Sequence, residues 1–157
     1  MSEDRIDQPE VAIHPPTIFL SALLIGFIIR VFAGGWMPVP RIPAEAVGGV
    51  LLLGALFAAV SSISAFAETG ETLRPASPSK ALLTDGAYQF SRNPIYLAMV
   101  LFGIGLGVAT LNLWMVLTTI AAGLIFNFFV IPQEEAYLER KFGVDYREYC
   151  ERVRRWV

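Results

Sequence analysis

Two short stretches of the chain hold polar groups that could do chemistry together. In the first, the turn at Asp85-Gly86 leads through Tyr88 and Phe90 to Arg92, Asn93, Pro94, Tyr96 and Leu97. In the second, Pro132-Gln133 precedes two adjacent carboxylates, Glu134 and Glu135. Between them, from Ile95 to Ile131, no residue is charged. A run of that length folded as a helical hairpin returns to the side it started from. Arg92, Asn93, Tyr96, Glu134 and Glu135 are therefore expected to meet in a polar pocket capping a helix pair, despite their distance in sequence. Other chemistries are poorly provided for. Cys150 is the one cysteine and His14 the one histidine, so neither an internal disulfide nor a metal-ligand set is expected. No base lies near Cys150 in sequence, and it reads as a packed small residue rather than a nucleophile.

The elements that must position these groups belong to a bilayer. Of 157 residues, 55% are hydrophobic and 17% charged, too apolar for an ordinary soluble domain. A spanning helix needs about 20 mostly apolar residues, and four stretches approach this. They are Thr17 to Trp36, Ala44 to Ala67, Ile95 to Leu111 and Leu113 to Ile131, with the turn of the hairpin at Asn112. Arg30 can snorkel beside Trp36, and the Pro38, Pro40 and Pro43 cluster separates the first two spans. Glu3, Asp4 and Asp7 ahead of the first span are the wrong charge for a secretory leader, so that span reads as a retained anchor. The fold class expected is an all-α integral membrane protein of about four transmembrane helices, a single membrane domain over 1–157. Residues 17–67 form its first helix pair and 84–156 its functional core.

Orientation follows from the basic residues. With the N-terminus inside, Arg5, Arg74, Lys80, Arg92 and the six basic residues after Pro132 are cytoplasmic, leaving Arg30 and Arg41 outside. Both termini are thus expected on the cytoplasmic face of the inner membrane. After Pro132 the sequence reads as two amphipathic helices. One runs from Glu134 to Phe142 and stops at Gly143. The next is capped by Asp145, carries Tyr146, Tyr149, Val153 and Trp156 near one packing face, and bears i, i+4 pairs Glu148–Arg152 and Glu151–Arg155 on the other. Small residues such as Gly48, Gly54, Ala55, Ala58 and Ser62, with Gly103 and Gly107 at GxxxG spacing, suit close helix packing within the chain or in an oligomer.

From Thr84 to Trp156 the chain resembles the isoprenylcysteine carboxyl methyltransferases and the related phospholipid methyltransferases. The resemblance lies in Gly86-x-Tyr88, Arg92-Asn93-Pro94-x-Tyr96, the uncharged hairpin, Glu134-Glu135, and the run Phe142-Gly143-x-x-Tyr146-x-x-Tyr149-x-x-x-Val153-x-Arg155-Trp156. Asn93 stands where the eukaryotic enzymes carry histidine. The resemblance implies S-adenosyl-L-methionine as cofactor, held by Tyr88, Arg92, Asn93, Pro94, Tyr96, Leu97, Glu134, Glu135 and Arg155, with Arg92 and Glu135 catalytic. Carboxylates and tyrosine faces suit the cofactor's cationic centres, and Arg92 or Arg155 suits its carboxylate. It further implies a lipophilic or lipidated acceptor at the cytoplasmic face: an isoprenylcysteine-like carboxylate, a phospholipid or another small hydrophobic molecule. Membrane lipids are then the surroundings, and nucleic acid is not a partner. Taken singly, Arg92 reads equally as a lipid-phosphate anchor and the two glutamates as first-turn acids of a helix. Two alternatives stand beside the methyltransferase. An NADPH-dependent enzyme like the sterol reductases shares a similar C-terminal membrane region, and a non-catalytic lipid-binding module would keep the fold without the reaction.

Overall fold

The computed structural model describes residues 14–69 and 81–157. Arg5, Arg74 and Lys80, which entered the orientation count, lie outside the described residues. Among the described residues the chain is helical, with no strand beyond an isolated bridge between Trp36 and Asn112. The helices are α1 (Pro15–Ala33), α2 (Arg41–Thr69), α3 (Pro94–Ala109), α4 (Leu113–Ile125), α5 (Ile131–Phe142) and α6 (Val144–Arg152). A 3-10 turn, Gly86–Gln89, precedes α3, and a π-helical segment, Phe126–Val130, joins α4 to α5. Among the described residues, three stretches are long and apolar enough to cross a membrane: Pro15–Ala33, Arg41–Ala65 and the rod Leu113–Phe142. The helix Pro94–Ala109 is apolar but shorter. The chain is an all-α membrane protein.

Local chemistry sets the boundaries. Prolines 15 and 16 open α1, where a missing N–H costs nothing. Gly34 at φ 72° closes it, its N–H reaching the Arg30 carbonyl at 3.0 Å, so the helix stops short of Trp36. The guanidinium of Arg30 lies 3.8 Å over the Trp36 ring and donates to the Thr110 carbonyl. Pro43 falls inside the first turn of α2 rather than ahead of it, which a proline tolerates.

The hairpin turns where an amide was expected to turn it. Asn112 caps α4 by accepting the Met115 N–H at 3.1 Å, and its Nδ2 donates to the Gly26 carbonyl of α1 at 3.4 Å. One fully buried side chain thus closes the hairpin and ties it to α1. Asn112→Ala removes the cap and strands the Gly26 carbonyl, so a loss of about 2 kcal/mol is expected. Thermal unfolding in detergent should show this as a lowered Tm.

The four apolar helices form a row. α3 and α4 pack on each other, α1 flanks α4, and α2 flanks α3. Residues 17–67 therefore do not pair as a unit of their own; each helix takes one side of the hairpin. Glycines set the spacing. A methyl group on Gly103 would lie 2.4 Å from Thr119 Oγ1, and one on Gly107 2.7 Å from Val116 Cγ2, both on α4. On the other face of α3, Gly105 abuts Gly48, Leu51 and Leu52 of α2. Ala55, Ala58, Ser62 and Ala65 are buried while Val50, Leu53, Leu56 and Phe57 are exposed. Much of the small-residue face of α2 is thus spent inside the chain, and large apolar residues are left to face lipid.

Five expectations for the last third are corrected. Pro132 does not end the membrane helix. The Ile131 N–H bonds to the Phe126 carbonyl, five residues back, and the widened π turn lets the rod continue through the proline to Gly143, whose φ of 54° stops it. Asp145 is not the cap of α6, which begins at Val144 with Gly143 as N-cap; Asp145 is a first-turn acid. The pair Glu151–Arg155 does not form, because α6 ends at Arg152 and Val153 is extended (φ −124°, ψ 130°). Arg152 Nε reaches the Glu148 backbone carbonyl at 3.3 Å instead of its carboxylate. Tyr146, Tyr149 and Val153 pack on Leu82, Leu138 and Phe142, but Trp156 leaves that face and joins Tyr96, Phe126, Val130 and Ile131.

Candidate active site

Four of the five polar groups expected to meet, Arg92, Tyr96, Glu134 and Glu135, do so where α3 begins and α5 follows the π segment. Pro94 starts α3, its missing N–H falling on a position that needs none. This sets Tyr96 on the buried face of the first turn, its ring 5.0 Å from that of Phe126. The Tyr96 hydroxyl donates to Glu134 Oε1 at 2.5 Å. One residue on, Glu135 is held by two arginines. Arg92 Nη2 lies 3.2 Å from Oε1, while Arg155 Nε donates to Oε1 at 3.1 Å and Nη2 to Oε2 at 2.5 Å. The fork from Arg155 is the bidentate geometry that arginine makes best with a carboxylate.

Arg92 has further neighbours. Its Nη1 contacts the Cys150 sulfur, and its Nε is buried with no partner. Burial opposes its charge, but Glu135 chiefly outweighs this and the guanidinium is held above its ordinary range. It stays cationic. Burial likewise raises the phenols of Tyr88, Tyr146 and Tyr149, so these are neutral hydroxyls and not phenolate bases. Tyr149 donates to the Tyr88 carbonyl at 2.7 Å and fixes the 3-10 turn against α6.

The remaining residues named from sequence have other surroundings. Asn93 is buried, but its Nδ2 donates to the Arg155 backbone carbonyl at 3.1 Å. Leu97 is half-buried and has no polar side-chain atom, and its N–H is given to the Asn93 carbonyl at 3.0 Å. Tyr88 is buried and borders the cluster through the 3-10 turn. Sequence reasoning missed three participants. Ser91 Oγ donates to the Arg155 carbonyl at 3.3 Å and accepts the Asn93 N–H at 3.2 Å. Cys150 touches Arg92. Asn127, inside the π segment, accepts from Trp156 Nε1 at 3.0 Å and from Arg155 Nη1 at 3.4 Å. The signal for Asn127 was present: an amide in an uncharged span, five residues before a proline.

Fold and site together define a membrane protein that gathers two arginines and two carboxylates at the mouth of a helix hairpin, beside tyrosine and tryptophan rings. The chain belongs to the phospholipid methyltransferase family, whose model matches residues 44–145. Protein-S-isoprenylcysteine O-methyltransferase B of Arabidopsis thaliana is 39% identical over 75 residues, which cover 46% of this chain and 36% of the relative. Protein-S-isoprenylcysteine O-methyltransferase A of the same plant is 36% identical over 74 residues, again 46% and 36% of the two chains. An uncharacterized protein of Haemophilus influenzae is 56% identical over 34 residues, 22% of this chain and 54% of the relative. The chain thus spans little more than a third of the plant relatives it matches. No solved structure matches it.

Proposed function

We propose that the chain transfers a methyl group from S-adenosyl-L-methionine to a lipophilic acceptor reaching the site from the bilayer. The observation that carries this reading is the Arg92–Glu135–Arg155 triad beside the Tyr96–Glu134 pair, in a chain of this family. The residues fit the cofactor. Its amino-acid end presents a carboxylate and an ammonium, and the site offers both complementary charges. The partnerless buried Nε of Arg92 is a donor for one more acceptor. When bound, the cofactor supplies a methyl group activated on a sulfonium centre.

The chain's own residues then have positional work. Arg92 and Arg155 hold the carboxylate, and Glu134 and Glu135 stabilise the cationic groups. The Tyr96 ring would offer a π face to a cationic centre. Fixing donor and acceptor in line supplies on the order of 7–11 kcal/mol of barrier reduction with no covalent intermediate. An isoprenylcysteine-like carboxylate needs no base. For an amine or phenol acceptor, Glu135 accepts the proton. By the basic-residue rule the site faces the cytoplasm, with 84–156 as the cofactor-binding core and the helices within 17–67 as its flanks.

Calorimetric titration of the purified protein with S-adenosylhomocysteine tests this, and saturable binding is expected. Absence of heat up to millimolar ligand, or protection against thermal unfolding by NADPH instead, overturns it. Methyl transfer from labelled cofactor into a total lipid extract then identifies the acceptor.

A further inference from the structure

Beyond the end of α6 the chain crosses the site as a non-helical strap, Val153–Trp156, and we propose that Asn127 is the positioning residue that latches it. The functional part of this inference rests on the methyltransferase reading. The latch itself does not.

One edge of the strap is held through its backbone. Because Val153 is extended, the carbonyls that follow are free to accept from outside a helix. Arg154 takes the Arg92 N–H at 3.0 Å, and Arg155 takes Asn93 Nδ2 at 3.1 Å and Ser91 Oγ at 3.3 Å. The other edge is held through side chains, and both reach one residue. Trp156 Nε1 donates to Asn127 Oδ1 at 3.0 Å, and Arg155 Nη1 lies 3.4 Å from both Oδ1 and the backbone oxygen of Asn127.

The helix geometry explains why Asn127 offers two acceptors. In an α-helix its carbonyl would take the N–H of Ile131, but that N–H is given to Phe126. In a π-helix it would take the next one, and residue 132 is proline, which has none. The carbonyl is left without a helical donor at the edge of an apolar span, where an unsatisfied acceptor is costly. The strap supplies the donor. Its consequence reaches the site, because the Arg155 guanidinium is divided: Nη1 is fixed on Asn127, which aims Nε and Nη2 at the two oxygens of Glu135. Asn127 acts on the site through Arg155 and touches no reacting group.

Asn127→Leu keeps the size and removes the side-chain acceptor, while Asn127→Asp keeps an acceptor. Brief trypsin treatment with mass readout follows release of the strap by cleavage after Arg154 and Arg155, and titration with S-adenosylhomocysteine follows the site. For Asn127→Leu, about tenfold faster strap cleavage and about tenfold weaker binding are expected, as for loss of a hydrogen bond to a charged group. Asn127→Asp should restore both. Unchanged cleavage in Asn127→Leu overturns the latch, as does equal behaviour of the two variants. Faster cleavage with unchanged affinity overturns the positioning role. If wild type binds no ligand, the methyltransferase reading fails while the cleavage arm still decides the latch. Should Asn127→Leu not fold, Pro132→Ala tests the same point. It returns an N–H to the helix for the Asn127 carbonyl, so strap cleavage should rise, and unchanged cleavage counts against the latch.

Discussion

Glu135→Ala is expected to weaken S-adenosylhomocysteine binding about 100-fold and to lower the Tm, while Glu151→Ala leaves both unchanged. Glu135 is the only carboxylate in contact with either site arginine among the described residues. Removing it leaves two guanidiniums facing each other with no counter-charge between them. A hydrogen bond to a charged group contributes about 1.5–3 kcal/mol, and three such contacts converge here. The side chains keep some access to water, 16% for Arg92, 18% for Glu135 and 33% for Arg155, so water recovers part of the loss. About 3 kcal/mol is a reasonable net figure for the partly buried triad. Glu135→Gln keeps the shape and two polar atoms but loses the charge, and should fall between alanine and wild type. Glu151 is exposed on α6, and its carboxylate has no part in the triad. Equal effects of Glu135→Ala and Glu151→Ala in calorimetry would place the site elsewhere.

The triad was half legible in the sequence, for a physical reason. An uncharged run too long for one span and too short for three must turn once, and its two ends must then face each other. This brought Arg92, Asn93, Tyr96, Glu134 and Glu135 to one end of the hairpin without saying which would pair, and Asn112 was a strong candidate for the turn because an amide both caps and breaks a helix. Arg155 was assigned to the cofactor site by resemblance, while periodicity assigned it to Glu151. That pairing assumed a helix continuing past Arg152. The helix stops there, and an extended Val153 sends Arg155 back to Glu135. Asn93 was read as a ligand from its place in the motif, yet its amide serves a backbone carbonyl.

The π segment was illegible for a different reason. Pro132 in sequence says only that a helical hydrogen bond is missing. Whether the chain answers by ending the helix, kinking it or widening it depends on what is packed nearby. Here the strap and Tyr96 occupy the space beside it. A composition rich in glycine and alanine likewise announces close helix contacts without naming the partners. Neither the flanking of the hairpin by α1 and α2 nor the division of the α3 glycines between two neighbours follows from composition.

That last point can be tested by adjacent substitutions. Gly48→Val is expected to destabilise the protein strongly, whereas Gly49→Val, one residue along the same helix, is expected to be nearly neutral. A methyl group on Gly48 would lie 2.6 Å from Ala109 Cβ, 2.7 Å from the Ala109 nitrogen and 2.7 Å from the Gly105 carbonyl oxygen. Two of those atoms are backbone, so no rotamer change relieves the clash and α2 must retreat from α3. Around Gly49 nothing lies within 4 Å, so valine there points into open space. In a bilayer no hydrophobic force pulls helices together, and contact packing carries the association, so lost contact is not recovered elsewhere. Overpacking costs about 1–3 kcal/mol in soluble cores, and backbone-to-backbone interference puts Gly48→Val at the upper end. The damage should reach the site as well. The turn before Tyr88 rests on α2, where a methyl group on Gly86 would come within 2.9 Å of Ser61 Oγ. An α2 displaced from α3 carries that support away from Arg92 and Tyr96. Thermal unfolding in detergent should show a large fall in Tm for Gly48→Val with weakened S-adenosylhomocysteine binding, against wild-type values for Gly49→Val. Matching Tm values for the two variants would mean that the α2–α3 crossing does not run through Gly48 and Gly105.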